Sequence, residues 1–158
     1  MDDSKPTNKN FIPKPGQKDF TNEKVAPVIN SVLECGGKIL LVRRSDKLGY
    51  YPGFWSGITG FLDDDKTPED KLKEEIWEEL GIGDDDLGQI ESASSFEIED
   101  SRYSKKWIIH PLKATVLTKE VELNWEAEEY VWILPEKIYE YSLLPSYDKV
   151  FKIFYPEL

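Results

Sequence analysis

Apolar residues recur along this chain with two different periods, and the change of period outlines the fold. Leu72, Ile76 and Leu80 return every four residues, which marks a helix with one buried stripe. Its ends are also written in the sequence. Thr67 is a good N-cap, Pro68 suits the first helical position, Asp70 follows the cap in capping-box fashion, and Gly81 supplies the stop. On either side the pattern is that of strands: Ala26–Glu34 and Lys38–Arg43 flank a Gly36-Gly37 turn as a hairpin, and Trp55–Leu62 reads as a short strand entering the helical region. Ile90–Ile98, Lys106–Leu117 and Glu129–Leu134 are further strands, Pro135–Tyr141 opens a short helix, and Ser146–Tyr155 is a terminal amphipathic helix. Leu48–Phe54 is a loop rich in aromatics, Asp84-Asp85-Asp86 a solvated turn, and residues 1–24 a polar, proline-bearing arm. Strands around a central helix with a second helix at the end predict an α/β or α+β domain spanning 25–158.

On the predicted helix Glu75, Glu78 and Glu79 share one face. At about 100° per residue with Leu72 as zero, the apolar stripe covers about 0–80°, and the three carboxylates fall near 300°, 240° and 340°. They border the buried face instead of opposing it. Like charges so placed repel, and a cation that takes hard oxygen ligands relieves that repulsion.

Composition narrows the chemistry. The net charge of −11 leaves no basic footprint for a long nucleic acid, and it favours a divalent-metal site with a small phosphorylated ligand. With no 18-residue apolar run and no charged-then-apolar leader, the expectation is a cytoplasmic chain without a membrane partner. Cys35 is the single cysteine and is expected to be a structural thiol at a strand end. His110, the single histidine, lies within a strand pattern and is also expected to be structural.

Residues 60–82, GFLDDDKTPEDKLKEEIWEELGI, resemble the Nudix box, G-x5-E-x7-R-E-U-x-E-E-x-G-U with U bulky and aliphatic. Gly60, Glu75, Ile76, Glu78, Glu79, Gly81 and Ile82 match in register. Lys66 stands where the pattern has Glu, and Glu74 where it has Arg. The resemblance implies an α/β/α sandwich around a mixed sheet and hydrolysis of a pyrophosphate bond in a nucleoside diphosphate linked to another group, with Mg²⁺ or Mn²⁺ as cofactor. A nucleoside triphosphate or dinucleoside polyphosphate is the favoured substrate. By the same resemblance Glu78 and Glu79 are metal ligands, Glu75 is a further ligand or the base acting on water, and the carbonyl of Thr59 assists. Asn124–Trp132 looks like the E-H-x-x-Y-x-W segment of related nucleotide hydrolases, with Ala127 in place of the His, which puts Glu126 forward as a fourth carboxylate. For substrate contact the sequence offers Arg43 or Arg44 as a phosphate fork, and Tyr50, Tyr51, Phe54, Trp55 and, more weakly, Tyr147 as ring-stacking partners.

The reversed charges at Lys66 and Glu74 predict an ion pair between the loop and the helix, and Glu74 is expected to repel Glu75. Those two departures also keep open a Nudix-fold binding or regulatory module without catalysis. Isopentenyl diphosphate isomerase, which resembles Nudix proteins too, needs a catalytic cysteine in a context that Leu33-Glu34-Cys35-Gly36 does not match. A homodimer is left open.

Overall fold

The computed structural model describes residues 22–158. Most of the arm expected over 1–24 lies outside the described residues. Eight strands form one mixed sheet: β1 Val25–Cys35, β2 Lys38–Arg44, β3 Trp55–Ser56, β4 Thr59–Phe61, β5 Leu87–Ser92, β6 Phe96–Asp100, β7 Lys105–Val116 and β8 Ala127–Ile133. Helix α1, Pro68–Leu80, covers one face and α2, Tyr147–Phe154, the other. The backbone of the sheet is β3-β2-β1-β7-β5, with β4 added to β1, β6 to β7 and β8 to β2. Among the described strands the long β1–β7 pair is parallel and the remaining pairs are antiparallel.

Alternation along the strands builds the two cores. On β2, Leu40 and Val42 face α1 while Ile39 and Leu41 face α2. Leu72, Ile76 and Leu80 of α1 are fully or almost fully buried against Ile29, Leu33 and Leu112, as the four-residue period requires. Tyr147, Val150 and Phe151 of α2 close the opposite core. Thr67 caps α1 by accepting from the Asp70 N–H at 3.1 Å, and Gly81 ends it with φ 72°.

Two expected strands are each divided, for local reasons. The Trp55–Leu62 strand breaks at Gly57 and Ile58, because β3 pairs with β2 whereas β4 has crossed to β1. Gly57 permits that crossing: a Cβ there would lie 1.7 Å from the Ser31 carbonyl oxygen. The Ile90–Ile98 strand is β5 and β6, interrupted at 93–95 opposite Pro111 of β7. Pro111 has no N–H to give, and only its carbonyl is used there, accepting from Ala93 at 3.1 Å. The segment expected to open a helix after β8 is a 3-10 helix, Pro135–Glu140. Cys35 ends β1, partly buried against the α1 core, and His110 lies within β7 beside Ile29.

Candidate active site

The acidic face of α1 meets β4 at Gly60. A Cβ on that glycine would stand 3.0 Å from Cγ and 3.1 Å from Cδ of Glu75, so a larger residue would push the carboxylate away from the strand. Glu75 and Glu79 are buried although both are acidic. Glu126, from the segment before β8, joins them: carboxylate oxygens of Glu75, Glu79 and Glu126 all lie within 4.8 Å of one another. Asn124 fixes that third member. Its Oδ1 accepts from the Glu126 N–H at 2.9 Å, and its Nδ2 donates to the Glu78 carbonyl at 3.0 Å, tying the segment to the end of α1.

This grouping is electrostatically costly as it stands. Burial, then the charges of Glu126 and Glu75, push the Glu79 carboxyl well above the usual carboxylate range, and Arg44 only partly offsets them. Oε2 of Glu79 is buried and accepts no hydrogen bond among the described residues. Three converging carboxylates, one with an orphaned oxygen, form the hard-oxygen donor set that Mg²⁺ or Mn²⁺ takes. Glu75, Glu78 and Glu79 would hold such an ion from α1, with the Glu126 carboxylate beside it.

Oxygens of Glu74, Glu75 and Glu78 form a second group within 4.8 Å. Glu74, however, is engaged elsewhere. The expected pair is present, with Lys66 Nζ 3.2 Å from Glu74, and it belongs to a larger cluster. Lys71, 1% exposed, donates to Glu74 at 2.9 Å, Asp63 at 3.1 Å and Asp64 at 3.1 Å. Burial alone would lower the Lys71 pKa; its three carboxylate partners more than reverse this and raise it. Two ammonium groups thus answer the charge of Glu74, which the sequence had set against Glu75. Lys71 was missed in the sequence, although its i,i+3 spacing to Glu74 was a readable signal.

Arg44 and Arg43 part company at the bulge between them. Arg44 turns to the site: its Nε and Nη2 donate to the Tyr50 carbonyl at 3.2 and 2.8 Å, and Nη1 to the Thr59 hydroxyl at 3.1 Å. Arg43 instead pairs with Glu128 and Glu129, each at 2.7 Å. That separates Glu126 from its two acidic neighbours, which serve the sheet edge.

Across β4 from the carboxylates lies a cavity of about 300 Å³. Tyr50, Tyr51, Phe61 and Trp107 contribute rings to its wall, and Thr59, Gly60 and Arg44 lie between it and the acidic group. Asp100 braces this wall, accepting from the Tyr51 hydroxyl at 2.7 Å and from Trp107 Nε1 at 2.8 Å. Trp55 lies elsewhere, edge-on to Tyr141 against the α2 core, and Tyr147 is wholly buried in that core. Phe54 packs edge-on to Tyr51. Asp100, Trp107 and Asn124 were not among the site residues that the sequence put forward. Only Asn124 carried a local signal, an Asn two residues before the Glu whose N–H it accepts.

A family model described as NUDIX domain matches residues 23–156. The nucleoside triphosphatase NudI of Escherichia coli O139:H28 is 27% identical over 128 residues, covering 73% of this chain and 86% of that protein. Among solved structures, a MutT protein from Methanosarcina mazei Go1 superposes with a TM-score of 0.68 at 27% identity, covering 86% of this chain and 96% of that one. The NUDIX domain of Shewanella oneidensis NrtR, crystallised with ADP ribose, gives 0.69 at 15% identity and coverages of 90% and 94%, a likeness of fold.

Proposed function

This chain belongs to the Nudix family and is a pyrophosphohydrolase, and from that premise we propose that it cleaves a nucleoside diphosphate linked to another group, a nucleoside triphosphate first, in a divalent-metal-dependent reaction. The observation that carries the reading is the convergence of Glu75, Glu79 and Glu126 around a buried carboxylate oxygen that has no hydrogen-bond partner among the described residues. The nucleoside triphosphatase activity named for the 27% identical relative supports the choice of substrate.

Bound Mg²⁺ or Mn²⁺ supplies charge neutralisation of the phosphoryl oxygens and a more acidic water. Glu75, Glu78 and Glu79 would hold the ion from α1, and the Thr59 carbonyl on β4 would assist them. Glu126 acts as base: one carboxylate oxygen takes a proton from the attacking water as its oxygen bonds to phosphorus and the anhydride P–O bond breaks. Asn124 positions Glu126 for that transfer. Arg44 holds the Tyr50–Tyr51 segment on β4 and offsets the negative charge of Glu79 and Glu126. Tyr51 lines the substrate side of the site. Arg43 and Trp55, committed to Glu128, Glu129 and Tyr141, serve the fold instead.

The test is turnover of nucleoside triphosphates and dinucleoside polyphosphates with Mg²⁺ or Mn²⁺, products identified by mass. A nucleoside monophosphate and pyrophosphate from a triphosphate, with loss of turnover in EDTA, is the expected result. Tight nucleotide binding with no product from any member of the panel would contradict it.

A further inference from the structure

The cavity across β4 contains one polar group that nothing in the fold explains. Asn30 lies on β1 between Val28 and Val32, on the face that packs toward α2, and is 2% exposed. It lines the cavity, and among the described residues its buried Oδ1 accepts no hydrogen bond. A valine would fill such a position without leaving an amide unpaired, so the fold gains nothing from Asn30. A ligand that brought a donor to Oδ1 would supply the missing partner.

The rest of the wall restricts what that ligand is. Val28, Ile98 and Leu144 are aliphatic, and Tyr50 meets Phe61 and Trp107 edge-on, with centroids 6.0 and 5.1 Å away. At about 300 Å³ the space is at the small end of ligand sites, room for one ring system and not for a whole nucleotide. An aliphatic group would suit the walls and leave Oδ1 unpaired. A planar heterocycle carrying an N–H next to an acceptor satisfies both, because the amide can meet it with acceptor and donor together. The rim is held in a strained form: Tyr51 at φ 50° and Ser146 at φ 82° are two of the three non-glycine residues with positive φ among those described.

We propose that the nucleobase of the substrate enters this cavity and that Asn30 reads its edge, making Asn30 the specificity-determining residue. The inference deepens the pyrophosphohydrolase reading and rests on it for the identity of the substrate. The β1–β4 pairing sets Asn30 opposite Thr59, so ring recognition is one strand pair away from the carboxylates.

The experiment is calorimetric titration of the full chain with the common nucleosides and their 5′-monophosphates in EDTA, alongside kcat and KM for the matching triphosphates in Mg²⁺. Wild-type protein should bind without metal and prefer some bases over others. Asn30→Leu should weaken the preferred ligand by about 10- to 100-fold and level the preference, acting on KM far more than on kcat. Asn30→Asp keeps the acceptor and loses the donor, and should shift preference toward bases that present an amino group. Should Asn30→Leu not fold, Asn30→Asp and the side-chain amide resonances of wild-type Asn30, which should move on adding nucleoside, carry the test. Absence of metal-free binding, or an unchanged base preference in both variants with unmoved Asn30 resonances, overturns the proposal. Nucleoside binding that depends on Asn30 with no turnover in Mg²⁺ would sink the hydrolase reading alone.

Discussion

At the scale of single residues, the site is held in a state that its own charges oppose. The Glu79 carboxyl, raised above its ordinary value of 4.5 by burial and by Glu126 and Glu75, binds its proton more tightly folded than unfolded. Its effect on stability is therefore absent at pH below 4.5 and becomes a loss as pH rises from 4.5 through the raised value. In metal-free buffer the melting temperature of wild type, compared with Glu79→Gln, should fall behind across that window, and Mg²⁺ should close the gap. Equal pH dependence of the two proteins would mean that Glu79 does not feel the cluster. A second prediction concerns Glu126. Glu126→Gln should lower kcat by about 10²-fold or more, as expected for a lost general base. Glu128→Gln and Glu129→Gln should leave kcat near wild type, because those carboxylates pair with Arg43. A larger effect at Glu128 would move the catalytic role there. The carboxylates of α1 were legible from spacing and motif. Asn30 and Asp100 were not, since each matters through neighbours far away in sequence, and no local pattern records those contacts.

At the scale of the element, α1 and the loop before it are joined by a charge cluster that reverses the signs expected at two box positions. The reversal at Lys66 and Glu74 was readable, and so was the i,i+3 spacing of Lys71 to Glu74; the burial of Lys71 was not, because a lysine predicted near the acidic face is ordinarily solvated. Burial makes the two lysines unequal. Lys66 is 42% exposed, whereas Lys71 leaves three carboxylates behind when it is removed. Lys71→Met should destabilise by on the order of 3 kcal/mol, the usual scale for removing one partner of a buried ion pair. Lys66→Ala should have a much smaller effect on the denaturant midpoint. In a double-mutant cycle, Lys66→Glu with Glu74→Arg should recover only part of the loss seen in the single variants, since the new guanidinium would face Lys71. Strict additivity would show that Lys66 and Glu74 are not coupled. The two divided strands teach a related lesson: periodicity located their residues, but the breaks come from a backbone crossing at Gly57 and from Pro111 on a partner strand, both tertiary facts.

At the scale of the molecule, an α/β or α+β domain was legible because helix stripes and strand alternation each demand a covered face, whereas the α/β/α layering around a mixed sheet came from the resemblance to the Nudix box. Sheet order was not legible, because the parallel β1–β7 pair joins segments about 80 residues apart. The net charge of −11 has a kinetic consequence. A polyanionic substrate approaches against the mean field, so at saturating Mg²⁺ and low ionic strength, added salt should raise kcat/KM; a steep fall would reveal local attraction that outweighs the net charge. The central claim is that the carboxylates gathered by α1 and the Glu126 segment form a metal-dependent pyrophosphohydrolase centre. Its most direct test is single-turnover hydrolysis of a nucleoside triphosphate by wild type and Glu79→Gln across a Mg²⁺ titration, with folding checked by circular dichroism. The account predicts no product without metal in wild type, and at least about 10²-fold slower chemistry in a folded Glu79→Gln at saturating Mg²⁺. Undiminished turnover in EDTA, or a wild-type rate in the variant, would contradict it.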